Sequence, residues 1–237
     1  MTYCLTAIYQ WCIHTSVVYQ QPNNGQRLRL SDQVYEQVKQ LVIRGDIAPG
    51  RLLSERELMA DLEVGRTPLR QALQRLEQEH FLTVVPGGGY LVADITFDGI
   101  MHLYELRRPV EALSARLAAV WARPRDVEQF EDFIHTASRA TEREDGYWHL
   151  AMDAHFHDLV AAASRNIYVR TTVNQLFSLT QRVMIASRLN VPRIEDELPF
   201  YRDLTQAITL HDPEKAETLM LEHIGWGTDI ASGIRLG

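Results

Sequence analysis

Apolar residues recur at helical spacing in the first third of the chain. Over 31–43, Val34, Val38, Leu41 and Val42 fall on one face of a helix, and Gly45 and the Pro49-Gly50 pair stop it. A shorter helix opens at Ser54, with Glu57 three residues on as a capping box, and turns Leu58 and Leu62 inward. Glu63-Val64-Gly65 reads as a tight turn. A third helix follows, with Pro68 in its first turn and Leu69, Leu73 and Leu76 as its apolar stripe. Arg66, Thr67 and Arg70 are left at its open N-terminal end, and Arg75 lies one turn further on. Two apolar runs, 81–85 and 90–92, flank Pro86-Gly87-Gly88-Gly89 and predict a β-hairpin. Three helices followed by a two-stranded wing make a winged helix-turn-helix over 27–94. In that fold the arginine-bearing end of the third helix suits a DNA major groove.

Beyond 95 the periodicity is helical throughout. Segments 98–122, 125–142, 146–164, 166–189, 195–210 and 213–232 are separated by short breaks, so 95–237 is expected to form an all-α bundle. Arg123-Pro124 ends the first of these helices, and Asp212-Pro213 caps and opens the last. The predicted fold class is therefore mainly α, a winged helix-turn-helix followed by an all-α helical bundle.

Charge restricts how such a protein could hold DNA. The formal net charge is −7 over 237 residues. Residues 25–94 hold nine Lys and Arg against ten Asp and Glu, whereas 95–237 hold 15 against 21. Bulk attraction to phosphate is excluded, and affinity must come from a few placed arginines, doubled by dimerisation. The two cysteines, Cys4 and Cys12, form no CxxC pattern, and a reduced, cytoplasmic setting follows. Residues 1–26 stand outside both domains. They are too polar for a membrane span and lack the basic start of a signal peptide, which leaves a functional arm or an artefact of start-codon choice.

The stretch IRGDIAPGRLLSERELMADLEVGRTPLRQALQRLEQEHFLTVVPGGGYLV resembles the DNA-binding domain of the GntR transcription regulators. The matching marks include Gly45, Pro49-Gly50, Leu53, Glu55-Arg56, Leu58, Arg66-Thr67-Pro68, Arg70, Ala72-Leu73 and Leu76-Glu77. Three positions depart from the family's pattern: Glu63 and His80 stand where glycine is usual, and Gly65 where serine is usual. The resemblance implies DNA contacts by Arg56, Gly65, Arg66, Thr67 and Arg70, with the wing tip at Gly87. The plainer alternative for the arginines is a solvated face shared with Glu55, Glu57 and Glu77.

The second half resembles the FCD-type domain of the FadR branch, in its six-helix, VanR-like form. Its marks are Tyr104-Glu105-Leu106-Arg107 with Glu111, Asp153 to His157 with Asn166, His211-Asp212-Pro213, and Ala216 to His223. The resemblance implies a homodimer that binds an inverted-repeat operator in double-stranded DNA and is released by a small organic acid. Asp153 and His157, four apart, share a helix face and could chelate one ion. Resembling domains add two histidines from the last two helices, and this chain has Tyr201 and His223 there. One divalent metal (Zn, Ni or Mn) on Asp153, His157 and His223 is one reading, with His149 a further donor one turn away and His155 pointing elsewhere. The other is a hydrogen-bonded pair without metal. Arg107 and Arg182, with Tyr201, are candidates for binding a carboxylate effector, the alternative for Arg107 being a surface ion pair with Glu111. A function of another class, a helical-bundle metalloenzyme using Asp153, His157 and His223, would leave the winged helix unexplained.

Overall fold

The computed structural model describes residues 29–139, 146–186 and 193–232, with side chains as far as 225. The proposed extension 1–26, with Cys4 and Cys12, lies outside the described residues. The chain divides into two compact units between Ile95 and Thr96.

The first unit contains α1 (Leu30–Ile43), β1 (Leu52–Leu53), α2 (Glu55–Asp61), α3 (Arg66–Gln78), β2 (Leu82–Val85) and β3 (Gly89–Val92). Its core is the apolar face anticipated above: Val34, Val38, Leu41, Val42, Leu58, Leu69, Leu73 and Leu76 are buried, joined by Tyr35, Phe81 and Val92. Ser54 Oγ accepts from the Glu57 N–H at 3.2 Å and starts α2. The wing has a third strand that periodicity did not predict. β1 pairs antiparallel with β3, giving the order β1-β3-β2 with Leu52 opposite Leu91 and Leu82 opposite Val92. Two residues are too few to display an alternation, so β1 is visible only through its partner.

Glu63 and His80 both adopt left-handed backbone, φ 53° and 65°. A side chain there costs about 1–2 kcal/mol that glycine avoids, and the chain retains both because the turn into α3 and the turn into β2 dictate the path.

Among the described residues the second unit has six helices: α4 (Phe97–Trp121), α5 (Pro124–Ala137), α6 (Gly146–Ala163), α7 (Ile167–Ala186), α8 (Ile194–Thr209) and α9 (Pro213–Ser232). Expected ends at 142 and 189 fall outside the described residues, while α5 is described as ending at Ala137 and α7 at Ala186. α4 ends just before Arg123-Pro124 as expected, and Pro124 itself opens α5, as its fixed φ favours a first helical turn. Asp212 caps α9 as expected, Oδ1 accepting from the Lys215 N–H at 3.0 Å. The long helix α4 packs against α6, α7, α8 and α9. Ala112, Ala115, Ala118 and Ala119 on its buried side let those neighbours approach closely. Its opposite side carries Leu106, Leu113 and Val120, seven apart and 42–49% exposed, beside Trp121 at 57%. No helix is long and apolar enough to cross a membrane among the described residues.

Replacing Glu63 or His80 by glycine relieves the left-handed strain and costs unfolded-state entropy in exchange. Each substitution should raise stability by about 0.5–1 kcal/mol, read as a higher denaturant midpoint with unchanged slope; a lower midpoint would refute the strain.

Candidate functional site

Two surfaces gather the chemistry, one in each unit. In the first, Gly65 is the N-cap of α3, in extended backbone with no side-chain cap. Arg66 and Thr67 follow, exposed, and Pro68 brings no N–H, so the helix presents its positive end and two free-standing side chains to solvent. Arg56 on α2 and Arg70 one turn into α3 are exposed as well. Arg70 donates from Nε to Glu55 at 3.3 Å, so for this arginine the solvated-face alternative is partly realised. An exposed pair of this kind is worth under about 1 kcal/mol and exchanges readily for a phosphate or a base. Gly87 sits at the hairpin tip with φ 71° and open space around it. Arg75 behaves differently. It lies 3.6 Å over the Tyr35 ring and donates to Glu79 at 3.0 Å, while Tyr35 donates to the same carboxylate at 2.5 Å. This arginine clamps α3 onto α1.

In the bundle, four helices bring one cluster together. Asp153 and His157 project from one face of α6, His223 comes from α9, and their donor atoms lie within 4.8 Å of one another. The imidazoles face each other with Nε2 atoms 3.3 Å apart, and His157 Nε2 is 3.5 Å from Asp153 Oδ1. Each imidazole is held from behind. His157 Nδ1 meets the buried Glu111 carboxylate of α4, and His223 Nδ1 lies 3.2 Å from Glu197 of α8. With Nδ1 directed at a carboxylate, each ring turns its Nε2 toward the shared centre, an outer arrangement typical of metal-binding histidines. Phe200 stacks flat on His223, centroids 3.8 Å apart, and fixes the ring plane.

The charges follow from this packing. Burial alone would push His157 down, but Glu111 and Asp153 outweigh it and raise its pKa to about 9. Burial would raise Asp153, yet His157, His223 and the Tyr201 hydroxyl hold it at about 2. Glu111 is also held at about 2 against burial, first by Arg107 and then by His157.

The donor set fits a divalent cation. Two nitrogens about 2.0–2.1 Å from one zinc at a tetrahedral angle stand about 3.3 Å apart, the separation found here. Tyr201 does not add a donor. Its hydroxyl donates to Asp153 Oδ1 at 2.9 Å, and burial together with the Asp153 and Glu197 carboxylates pushes its pKa well up. His149 is committed elsewhere, its Nδ1 accepting from the Ile194 N–H at 3.0 Å at the start of α8. His155 packs against Phe133, away from the cluster.

Arg107 does pair with Glu111, at 2.5 Å, but inside the bundle rather than on its surface, with Thr180 accepting a second bond at 3.2 Å. Arg182 is buried on α7. Sequence reading missed Glu197 and the part Glu111 plays behind His157. A signal existed: Arg107, Glu111 and Ser114 continue the inward spacing of Ile100 and Tyr104, placing charge on a core face.

Comparison with known proteins agrees with both halves. Residues 30–92 match the family described as bacterial regulatory proteins, gntR family, and residues 102–225 match the FCD domain. Among curated relatives, the Nta operon transcriptional regulator of Aminobacter aminovorans is 34% identical over 138 residues, covering 58% of this chain and 64% of that protein. The HTH-type transcriptional repressor GlaR of Escherichia coli is 28% identical over 203 residues, covering 80% and 90%. Among solved structures, E. coli McbR/YncC superposes with a TM-score of 0.76 at 20% identity, over 87% of this chain and 98% of that one, which shows a shared fold. These relatives give the metalloenzyme alternative no support. A gntR-type winged helix that runs on into an FCD domain places this chain in the GntR family of bacterial transcription regulators.

Proposed function

We propose that the protein is a cytoplasmic, homodimeric repressor that holds an inverted-repeat operator and releases it on binding a small carboxylate metabolite. Residues 27–94 would be the DNA-binding domain and 95–237 the effector-binding and dimerisation domain. Arg66 and Arg70 would read base edges, Thr67 and the uncapped N–H groups after Gly65 would meet phosphate, and Arg56 and the Gly87 tip would hold the flanking backbone. One divalent cation, Zn, Ni or Mn, would sit on Asp153, His157 and His223. The observation that carries this part is the pair of carboxylate-backed imidazoles with Nε2 atoms 3.3 Å apart. The cation would supply a fixed positive charge on which an acid effector can bind. Tyr201 and the buried guanidinium groups of Arg107 and Arg182, from three helices around that centre, would complete the effector's surroundings. The exposed stripe Leu106, Leu113 and Val120 on α4 supports the dimer, because a heptad of apolar residues in water calls for a second copy of itself.

Four measurements test this. Arg66→Ala and Arg70→Ala should each weaken operator binding by about 1–3 kcal/mol with an unchanged circular dichroism spectrum; unchanged affinity in both would remove α3 from the groove. Elemental analysis of protein purified without chelator should find about one metal per chain, lost in an Asp153→Ala/His157→Ala variant. Metal must displace the proton that His157 holds below about pH 9, so affinity should climb with pH up to that point, by about tenfold per unit at most. A flat profile would mean that His157 is not a ligand. Leu113→Glu should convert the dimer to monomer in sedimentation experiments, and a dimer that persists would place the interface elsewhere.

A further inference from the structure

The departure at Tyr201 has a thermodynamic consequence. The two imidazoles and Asp153 approach the centre as three donors, and the side chain at 201 turns to Asp153 instead of supplying a fourth. Zinc in a closed protein site takes four ligands, and cations of higher coordination number take more. Three donors from the chain therefore leave at least one position to be filled from outside. The route to it exists: Asp153 keeps 23% of its side chain accessible and His223 13%, whereas His157 keeps 1%.

Taking the metal-centre reading above as its basis, we infer that Tyr201 makes metal and carboxylate effector bind cooperatively, each supplying what the other's site lacks. A chain with a fourth protein donor would hold its metal in the absence of effector and sense the acid alone. With Tyr201 the ion is held loosely until a carboxylate completes its coordination, and the acid in turn lacks a metal to ligate until the ion is present. Reciprocity follows from linkage: whatever factor the acid adds to metal affinity, the metal adds to acid affinity, and such factors run at about 5–150-fold. The regulator would then answer to the coincidence of two inputs. Tyr201 acts in this by its bulk, which fills the space of a ligand without donating to the cation; its hydroxyl is turned to Asp153 Oδ1.

The test uses the full-length protein, Co2+ as the metal and acetate as the simplest carboxylate. Co2+ affinity and the visible absorption of the bound ion are measured in acetate and in perchlorate buffers of equal ionic strength. For the native chain, acetate should tighten Co2+ binding by about fivefold or more and change the absorption spectrum. Tyr201→His should bind Co2+ about tenfold or more tightly in perchlorate and lose most of the acetate effect. Tyr201→Phe, which removes only the hydrogen bond to Asp153, should retain that effect. If native protein binds Co2+ through Asp153 and His157, yet acetate changes neither affinity nor spectrum, the cooperativity is refuted and the metal centre stands. If native protein binds no Co2+ in either buffer, the metal centre itself is refuted and the cooperativity with it. The native-protein comparison decides the matter even if Tyr201→His fails to fold.

Discussion

The buried charge around His157 is the constraint on which the bundle depends. Glu111 has no exposed side-chain surface, and Asp153 and Glu197 keep little. Three carboxylates in such a place are tolerable only with positive partners, since an isolated buried charge neutralises itself or unfolds its surroundings. Arg107 supplies one permanent charge. With both imidazoles neutral the group would still carry two negative charges in excess. The proton that keeps His157 cationic removes one of them, and a divalent cation between the imidazoles removes both. Proton and metal are thus alternatives for one electrostatic role. For the same reason the surrounding residues are interdependent: removing Arg107 would break a buried pair and leave Glu111 to His157, and breaking such a pair costs about 3–5 kcal/mol.

Much of the fold is legible in the sequence because its elements are long and one-sided. The faces through Val34 and Val38, through Leu69 and Leu73, and the six helices after Thr96 all repeat often enough for periodicity to show. What escaped is short or cooperative. β1 has two residues and exists through its ladder to β3. Glu63 and His80 are recognisable as departures in a glycine pattern, but only the backbone shows that both pay a left-handed cost.

The site divides in the same way. Asp153 and His157 are readable because four-residue spacing on one helix fixes their relation before tertiary structure is known. Glu197 is not, because its relation to His223 joins α8 to α9 and no local pattern encodes it. Arg75, on the same helix as Arg66 and Arg70, is held by Tyr35 and Glu79 to the body of its own unit, which its position alone does not reveal. His149 looked like a donor by spacing, and the first N–H of α8 claims it instead. In each of these cases a side chain is taken by a partner remote in sequence. One-dimensional patterns identify candidates by their own element and are blind to competition from another.

Helix α4 connects these observations. Its inward face carries Arg107 and Glu111, which set the orientation and charge of His157, and its outward face carries Leu106 and Leu113. Its first residue follows the last strand of the wing by only four residues, 93–96. Were a metal to replace the proton on His157, the contact of Nδ1 with Glu111 would still join that ring to α4. Coupling of about 1–3 kcal/mol between ligand and DNA is enough for a switch. In the proposed switch, an effector would have to favour one packing of α4 against α6 and α9 over another by that amount. The alanine-rich contacts of this helix suit such a role, because small side chains interlock less deeply than leucines and resist a small slide of one helix on another less strongly.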